Sequence, residues 1–314
     1  MTIEKSMFED SLNIDKKPKK EKERVKLNLN DIQKLDSLGN GVSGQVFKAQ
    51  NVKNGKLFAM KVIPYKEDNK LKELIETEVK TLHKCKSDYI IKVYATNCDG
   101  GTVDILLEYM DRGTLTDVLK KVKKIPESIL GIMTAQMICG LWFLHNNKII
   151  HRDIKPSNIL LNSKGFVKIS DFGVSGYLKD TNEERNTMLG TYMYMAPERI
   201  TQSSYNVKCD IWSLGMSLIE CATGMNPFVY NKNDKNVAIK DYWDLVSLLN
   251  NKEDPPKLNK FEFSDEFCDF IDCCLVKDQS KRYSTDQLKE HKFFKKYSQV
   301  PQIELVNWMK ETLK

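Results

Sequence analysis

The sequence predicts an α+β chain in two lobes: a smaller β-rich lobe carrying one helix, then a larger and mostly helical lobe. Three observations carry that expectation. Residues 35–49 read as a strand, a glycine turn and a second strand, and the runs 57–63 and 103–109 read as apolar strands. A short polar link over 108–113 then passes into a helix at 114–119. From Pro126 onward Ile129, Ile132, Met133, Met137, Leu141 and Leu144 recur at helical spacing, the stripe of a core helix. The expected boundaries are a tail over 1–30, the β-rich lobe over 31–108, the link over 108–113, the helical lobe over 114–298 and a closing helix over 299–314.

A chain of 314 residues can bury a sizeable core in one large domain or two lobes. The net charge of +6 is mild and no concentrated basic face is declared, so nucleic acid is not an expected partner. No apolar run reads as long enough to span a bilayer, and Met1-Thr2-Ile3-Glu4-Lys5 does not read as a leader. Eight cysteines form no CxxC pair. Buried free thiols in a reducing, cytoplasmic setting are therefore expected.

In the tail, a basic cluster (Lys16 to Lys26) precedes Val25, Leu27 and Leu29. Such a run can dock into an acidic patch with an apolar groove; it can equally be a solvated tail. The glycine turn is Gly39-Asn40-Gly41-Val42-Ser43-Gly44, with Val46 next. A lone GxGxxG is weak, and in a Rossmann fold it opens a helix. Here residues 45–49 continue strand-like, so a β-hairpin flap whose glycines let the backbone approach phosphates is the better reading. Lys61 interrupts an apolar strand. A charge buried there needs a partner. The alternative is an edge-strand lysine with its amine in water. Leu71, Leu74, Ile75, Val79 and Leu82 mark a helix over 70–82 that offers Glu73, Glu76 or Glu78 as that partner, and residues 89–91 read as the strand after it. An adenine ring would stack at the link, hydrogen-bonded to backbone near Glu108 and Met110, with Leu107 gating the rear. The plainer alternative is a domain link with no ligand.

The chemistry concentrates in His151-Arg152-Asp153-Ile154-Lys155-Pro156-Ser157-Asn158 and in Asp171-Phe172-Gly173. HRDxKxxN followed at loop distance by DFG is the protein-kinase signature. Phosphoryl transfer asks a protein for positioning and charge neutralisation rather than covalent chemistry. On that template Asp153 accepts the proton of the incoming hydroxyl and Lys155 places a cation near the moving phosphate. Asn158 and Asp171 hold Mg²⁺, a hard ion that prefers oxygen. Residues 174–191 form a long polar stretch without period, and phosphorylation there could order it by pairing with arginines, Arg152 among them.

HRDIKPSNILLNSKG, DFGVSG and GTYMYMAPERI resemble the MAP kinase kinases, over about residues 31–298. The resemblance implies a protein-kinase fold and Mg-ATP-dependent phosphorylation of threonine and tyrosine in a MAP kinase activation loop. It implies two partners, that MAP kinase and an upstream kinase. The nucleotide set it implies is Gly39, Asn40, Gly41, Val42, Ser43, Gly44, Val46, Ala59, Lys61, Glu78, Leu107, Glu108, Met110, Lys155, Ser157, Asn158, Leu160 and Asp171, with Glu78 chosen as the partner of Lys61. Thr181 and Thr187, with five residues between them, look like the phosphorylation pair of plant-type members. Scaffold roles are implied for Thr191 (bonded to Asp153 or Lys155), for a buried Glu198–Arg282 ion pair, and for Asp210 bracing the catalytic loop. Two rivals are a sterile-twenty-type kinase, which usually carries Trp where Tyr194 stands, and a pseudokinase scaffold, which would lack one of Lys61, Asp153, Asn158 and Asp171.

Overall fold

The structure, a computed structural model, describes residues 29–41, 44–64, 86–99, 101–171, 192–230, 244, 246–247 and 255–313. The chain divides into two units, Met1–Met110 and Asp111–Lys314.

In the first unit, β1 (Ile32–Gly41), β2 (Gly44–Asn51), β3 (Leu57–Pro64), β4 (Val93–Asp99) and β5 (Thr102–Glu108) form one antiparallel sheet in the order β1-β2-β3-β5-β4. Successive side chains of a strand face opposite ways. Phe58 and Met60 of β3 thus share a face with Ala49 of β2 and Leu106 of β5, and these four form a core cluster. Tyr94 meets Phe58 edge-on at 5.1 Å.

Two sequence expectations change here. The glycine turn is tighter than its six residues suggest. Gly39, Asn40 and Gly41 belong to β1 and pair with Val46, Gln45 and Gly44. Gly44 is required by its neighbour strand: at φ +119 a Cβ would lie 2.2 Å from the Val62 carbonyl oxygen. Residues 89–91 are not a strand. Ile90 makes an isolated bridge, and the strand begins at Val93. Ile90 and Ile91 are both buried, which alternation in a half-covered strand does not permit. The expected helix over 70–82 lies outside the described residues.

The second unit opens with β6 (Gly113–Thr114) and α1 (Leu115–Val122). Thr114 caps α1: its hydroxyl accepts from the Asp117 amide at 3.1 Å, and the Asp117 carboxylate accepts from the Thr114 amide at 3.1 Å. Next come α2 (Glu127–Asn146), a 3₁₀ turn (Pro156–Asn158), β7 (Ile159–Leu161) and β8 (Val167–Ile169), with a small sheet in the order β6-β7-β8. Then follow α3 (Pro197–Ile200), α4 (Cys209–Thr223), α5 (Pro227–Tyr230), α6 (Asp265–Cys274), α7 (Thr285–Glu290), α8 (Lys292–Ser298) and α9 (Ile303–Thr312).

α2 is the spine of this unit. All six stripe residues are buried, and so are Leu130, Ala135 and Ile138 on other sides. By length and composition it could cross a membrane, with a mean hydropathy of 1.4 over its best window, contrary to the sequence expectation. Its packing explains the composition: α4, α7, α8, α9 and β8 surround it. Gly131 lets α8 close in, since a Cβ there would lie 2.4 Å from the Tyr297 ring. At its first turn, both Glu127 carboxylate oxygens accept from Ser264, the residue that caps α6.

Candidate active site

The first unit gathers part of the predicted nucleotide set on one sheet face. Val46 pairs with Lys61 and Ala59 with Leu107, so Val46, Ala59, Lys61 and Leu107 lie on the face opposite the core cluster. Lys61 is 5% exposed. Glu108 ends β5, its amide donating to the Lys92 carbonyl at 2.8 Å, and Met110 is buried. Val42, Ser43 and Glu78 lie outside the described residues.

The second unit holds the catalytic-loop residues. Lys155 Nζ lies 3.1 Å from Asp153 Oδ2. Asn158 Nδ2 donates to the Asp153 carbonyl at 2.6 Å and to Asp153 Oδ2 at 3.0 Å. Both amide hydrogens of Asn158 are thereby used, which presents its oxygen as the remaining acceptor. Ser157 is exposed in the 3₁₀ turn, and Leu160 sits in β7 opposite Thr114 and Lys168. Asp171 follows β8 with φ +59.

An imidazole joins the two stretches. His151 is fully buried. Its Nδ1 accepts from the Asp153 amide at 3.2 Å, so the proton resides on Nε2, which donates to the Ser170 carbonyl at 2.8 Å. Burial holds the ring's pKa below the usual imidazole value, against the opposing pull of Asp210. Ser170 in turn donates to the Asn158 carbonyl from its amide at 2.9 Å and its hydroxyl at 3.1 Å. Asp153, Asn158 and Asp171 are thus held by one short network.

Asp210, 1% exposed at the start of α4, braces the loop. Its Oδ2 accepts from the His151 amide at 2.9 Å and faces His145 Nε2 at 3.0 Å; its Oδ1 accepts from the Arg152 amide at 2.8 Å. Burial alone would raise this carboxyl's pKa. The hydrogen bond and charge of His145, with the hydrogen bond from the His151 amide, outweigh it and leave the group below its ordinary value. The Glu198–Arg282 pair is present and bidentate, at 2.7 and 3.0 Å. Thr181, Thr187 and Thr191 lie outside the described residues. Tyr194 donates its hydroxyl to Glu220 on α4, and the Ser213 hydroxyl donates to the Tyr194 carbonyl at 2.7 Å. Sequence reasoning missed the His151 ring, His145 and this Tyr194 anchor. Each depends on a backbone group or a distant helix, which leaves no local motif.

A second cluster, Asp269, Cys273 and His291, groups possible metal ligands on α6 and before α8. His291 Nδ1 accepts from the Phe293 amide at 3.1 Å, which puts its proton on Nε2, 3.0 Å from Asp269. Neither ring nitrogen then offers a lone pair to a cation.

Residues 32–294 match the protein kinase domain family. Mitogen-activated protein kinase kinase SIPKK of Nicotiana tabacum is 41% identical over 270 residues, covering 86% of this chain and 75% of that protein. The chain belongs to the MAP kinase kinase family. Mitogen-activated protein kinase kinase 2 of Arabidopsis thaliana is 40% identical to this MAP kinase kinase over 273 residues, 86% of the chain and 74% of the relative. The animal relative Dual specificity mitogen-activated protein kinase kinase dSOR1 of Drosophila melanogaster is 38% identical over 312 residues, 93% and 78% of the two chains. As a protein kinase, the chain uses ATP as its phosphoryl donor.

Proposed function

We propose that this MAP kinase kinase phosphorylates both a threonine and a tyrosine in the activation loop of a MAP kinase. The observation that carries the reading is Asp153 held beside Lys155 and Asn158 in a chain whose relatives bear that name. Asp153 accepts the proton of the substrate hydroxyl, and Lys155 offsets charge on the moving phosphoryl group. Lys61 aligns the α- and β-phosphates with Glu78 as its partner, beneath the hairpin of Gly39, Asn40, Gly41, Val42, Ser43 and Gly44. Val46, Ala59, Leu107, Glu108, Met110, Ser157 and Leu160 complete the nucleotide set.

The Asn158 amide oxygen and the Asp171 carboxylate form an all-oxygen donor set that suits Mg²⁺. When bound, that ion neutralises charge on the phosphate oxygens. An upstream kinase acts on Thr181 and Thr187. Arg152 favours this: its buried Nε has no hydrogen-bond partner among the described residues, a donor suited to a phosphate. The sterile-twenty reading is not favoured.

The test is incubation with Mg-ATP and a MAP kinase silenced by its own catalytic mutation, followed by phosphosite mapping. Phosphate on both Thr and Tyr of one TxY loop is expected; phosphate on serine or threonine alone overturns dual specificity. Asp153→Asn should abolish transfer and keep nucleotide binding, and persistent transfer removes Asp153 as the base. Thr181→Ala with Thr187→Ala should block activation by the upstream kinase. Deleting residues 1–24 should raise KM for the MAP kinase alone, and an unchanged KM removes the docking role of the basic tail.

A further inference from the structure

We propose that Arg199 is a positioning residue for phosphoryl transfer, gripping the peptide that carries Asp153 while Asp210 holds the peptide before it. The proposal rests on Asp153 acting as the base. Arg199 Nη1 donates to the Arg152 carbonyl at 2.5 Å, and its guanidinium lies over the Tyr205 ring at 5.5 Å. That carbonyl belongs to the same peptide as the Asp153 amide, which donates to His151 Nδ1. Asp210 holds the preceding peptide by its Arg152 amide. Both peptides flanking Arg152 are therefore fixed, one by an anion on α4 and the other by a cation on α3.

The backbone shows why two grips are needed. Arg152 has φ +70, a left-handed conformation that a residue with a side chain keeps only where its surroundings impose it. Asp210 secures the entry to that residue. Only Arg199 secures the exit on the carbonyl side among the described residues, and rotation at the exit swings Asp153. The platform for Arg199 is itself anchored, because its neighbour Glu198 is locked to the fully buried Arg282. Arginine suits the place: one edge of its plane donates while its face stacks on an aromatic ring. A lysine is a flexible point donor and cannot do both.

The experiment measures kcat and KM for ATP, and melting temperature, in R199M and R199K, together with amide exchange over 150–156. R199M is expected to lose about 30- to 100-fold in kcat, since a misplacement of roughly 1 Å can cost 10²-fold. KM for ATP should stay within about twofold, and exchange over 150–156 should quicken while α4 stays protected. R199K should lose about 3- to 10-fold, between the two. A kcat for R199M within about threefold of the unmodified protein, or a fall in kcat matched by lost ATP binding, overturns the proposal. Where R199M does not fold, R199K decides, and a wild-type rate in it overturns the proposal. The unmodified protein separates the two readings. If, once phosphorylated by an upstream kinase, it transfers nothing to any MAP kinase, dual specificity fails, while its ATP hydrolysis, compared with that of R199M treated alike, still judges Arg199.

Discussion

Replacing Glu198 by alanine removes the only carboxylate, among the described residues, bonded to the Arg282 guanidinium, which has no solvent exposure. Arg282 donates through Nε to the Val276 carbonyl at 2.9 Å, through Nη1 to Glu198 and Lys208, and through Nη2 to Glu198 and Lys277. Its plane also stacks on Trp212, 5.2 Å from the ring centre. Leaving such a cation unpaired costs about 3–5 kcal/mol. That is a fifth or more of the roughly 5–15 kcal/mol that keeps a typical domain folded. In the double variant Glu198→Leu with Arg282→Met no charge is buried. Three carbonyls lose a donor instead, about 1 kcal/mol each. The double should therefore be no less stable than Glu198→Ala, and the losses of Glu198→Leu and of Arg282→Met alone should sum to at least about 3 kcal/mol more than the double loss. Urea unfolding followed by tryptophan fluorescence reads this, with Trp212 reporting from beside the pair. A loss below about 1 kcal/mol in Glu198→Ala, or single losses that add within about 0.5 kcal/mol, would refute the reasoning.

Acid should weaken the second unit in two stages. His151 is neutral in the fold with a lowered pKa, so below about pH 6.5 the unfolded chain takes up a proton that the folded chain does not, and stability falls with pH. Asp210 is held below the usual carboxylate value, so its contribution is present above about pH 4 and is lost as pH falls further. Melting temperature against pH checks both, and Asp210→Asn should flatten the lower limb. Gly131→Ala should cost about 1–3 kcal/mol by forcing α2 away from Tyr297, read as a fall in melting temperature that Tyr297→Leu partly reverses. Thr114→Ala should cost about 1 kcal/mol through lost capping of α1, measured by chemical unfolding.

Much of the site was legible because its spacing is local. Asp153, Lys155 and Asn158 fall within six residues, and a loop of that length can bring them together without distant help. The Glu198–Arg282 and Asp210 contacts span the unit, yet resemblance pointed to them. β4 was not legible. Over Val93–Cys98 only Val93 is buried, and Thr96, Asn97 and Cys98 carry no apolar alternation, so the strand exists by pairing with β5 rather than by its own pattern. α2 was legible as a helix but not as one buried on all sides, because a stripe marks one face and says nothing of α7, α8 and α9 covering the others. Arg199 was illegible for a different reason. What it binds is a carbonyl, and every residue has one.

The imidazole of His151 reaches Ser170 through a carbonyl, and the two donors of Ser170 converge on a single carbonyl, that of Asn158. Position 170 therefore contributes to the site chiefly as backbone. Its hydroxyl duplicates what its own amide already does. Ser170 is buried, so side chains of similar size can be exchanged there without loosening the tie between Asp153 and Asp171. The residue immediately before a catalytic acid is thus a place where this fold can vary its chemistry and leave its geometry alone.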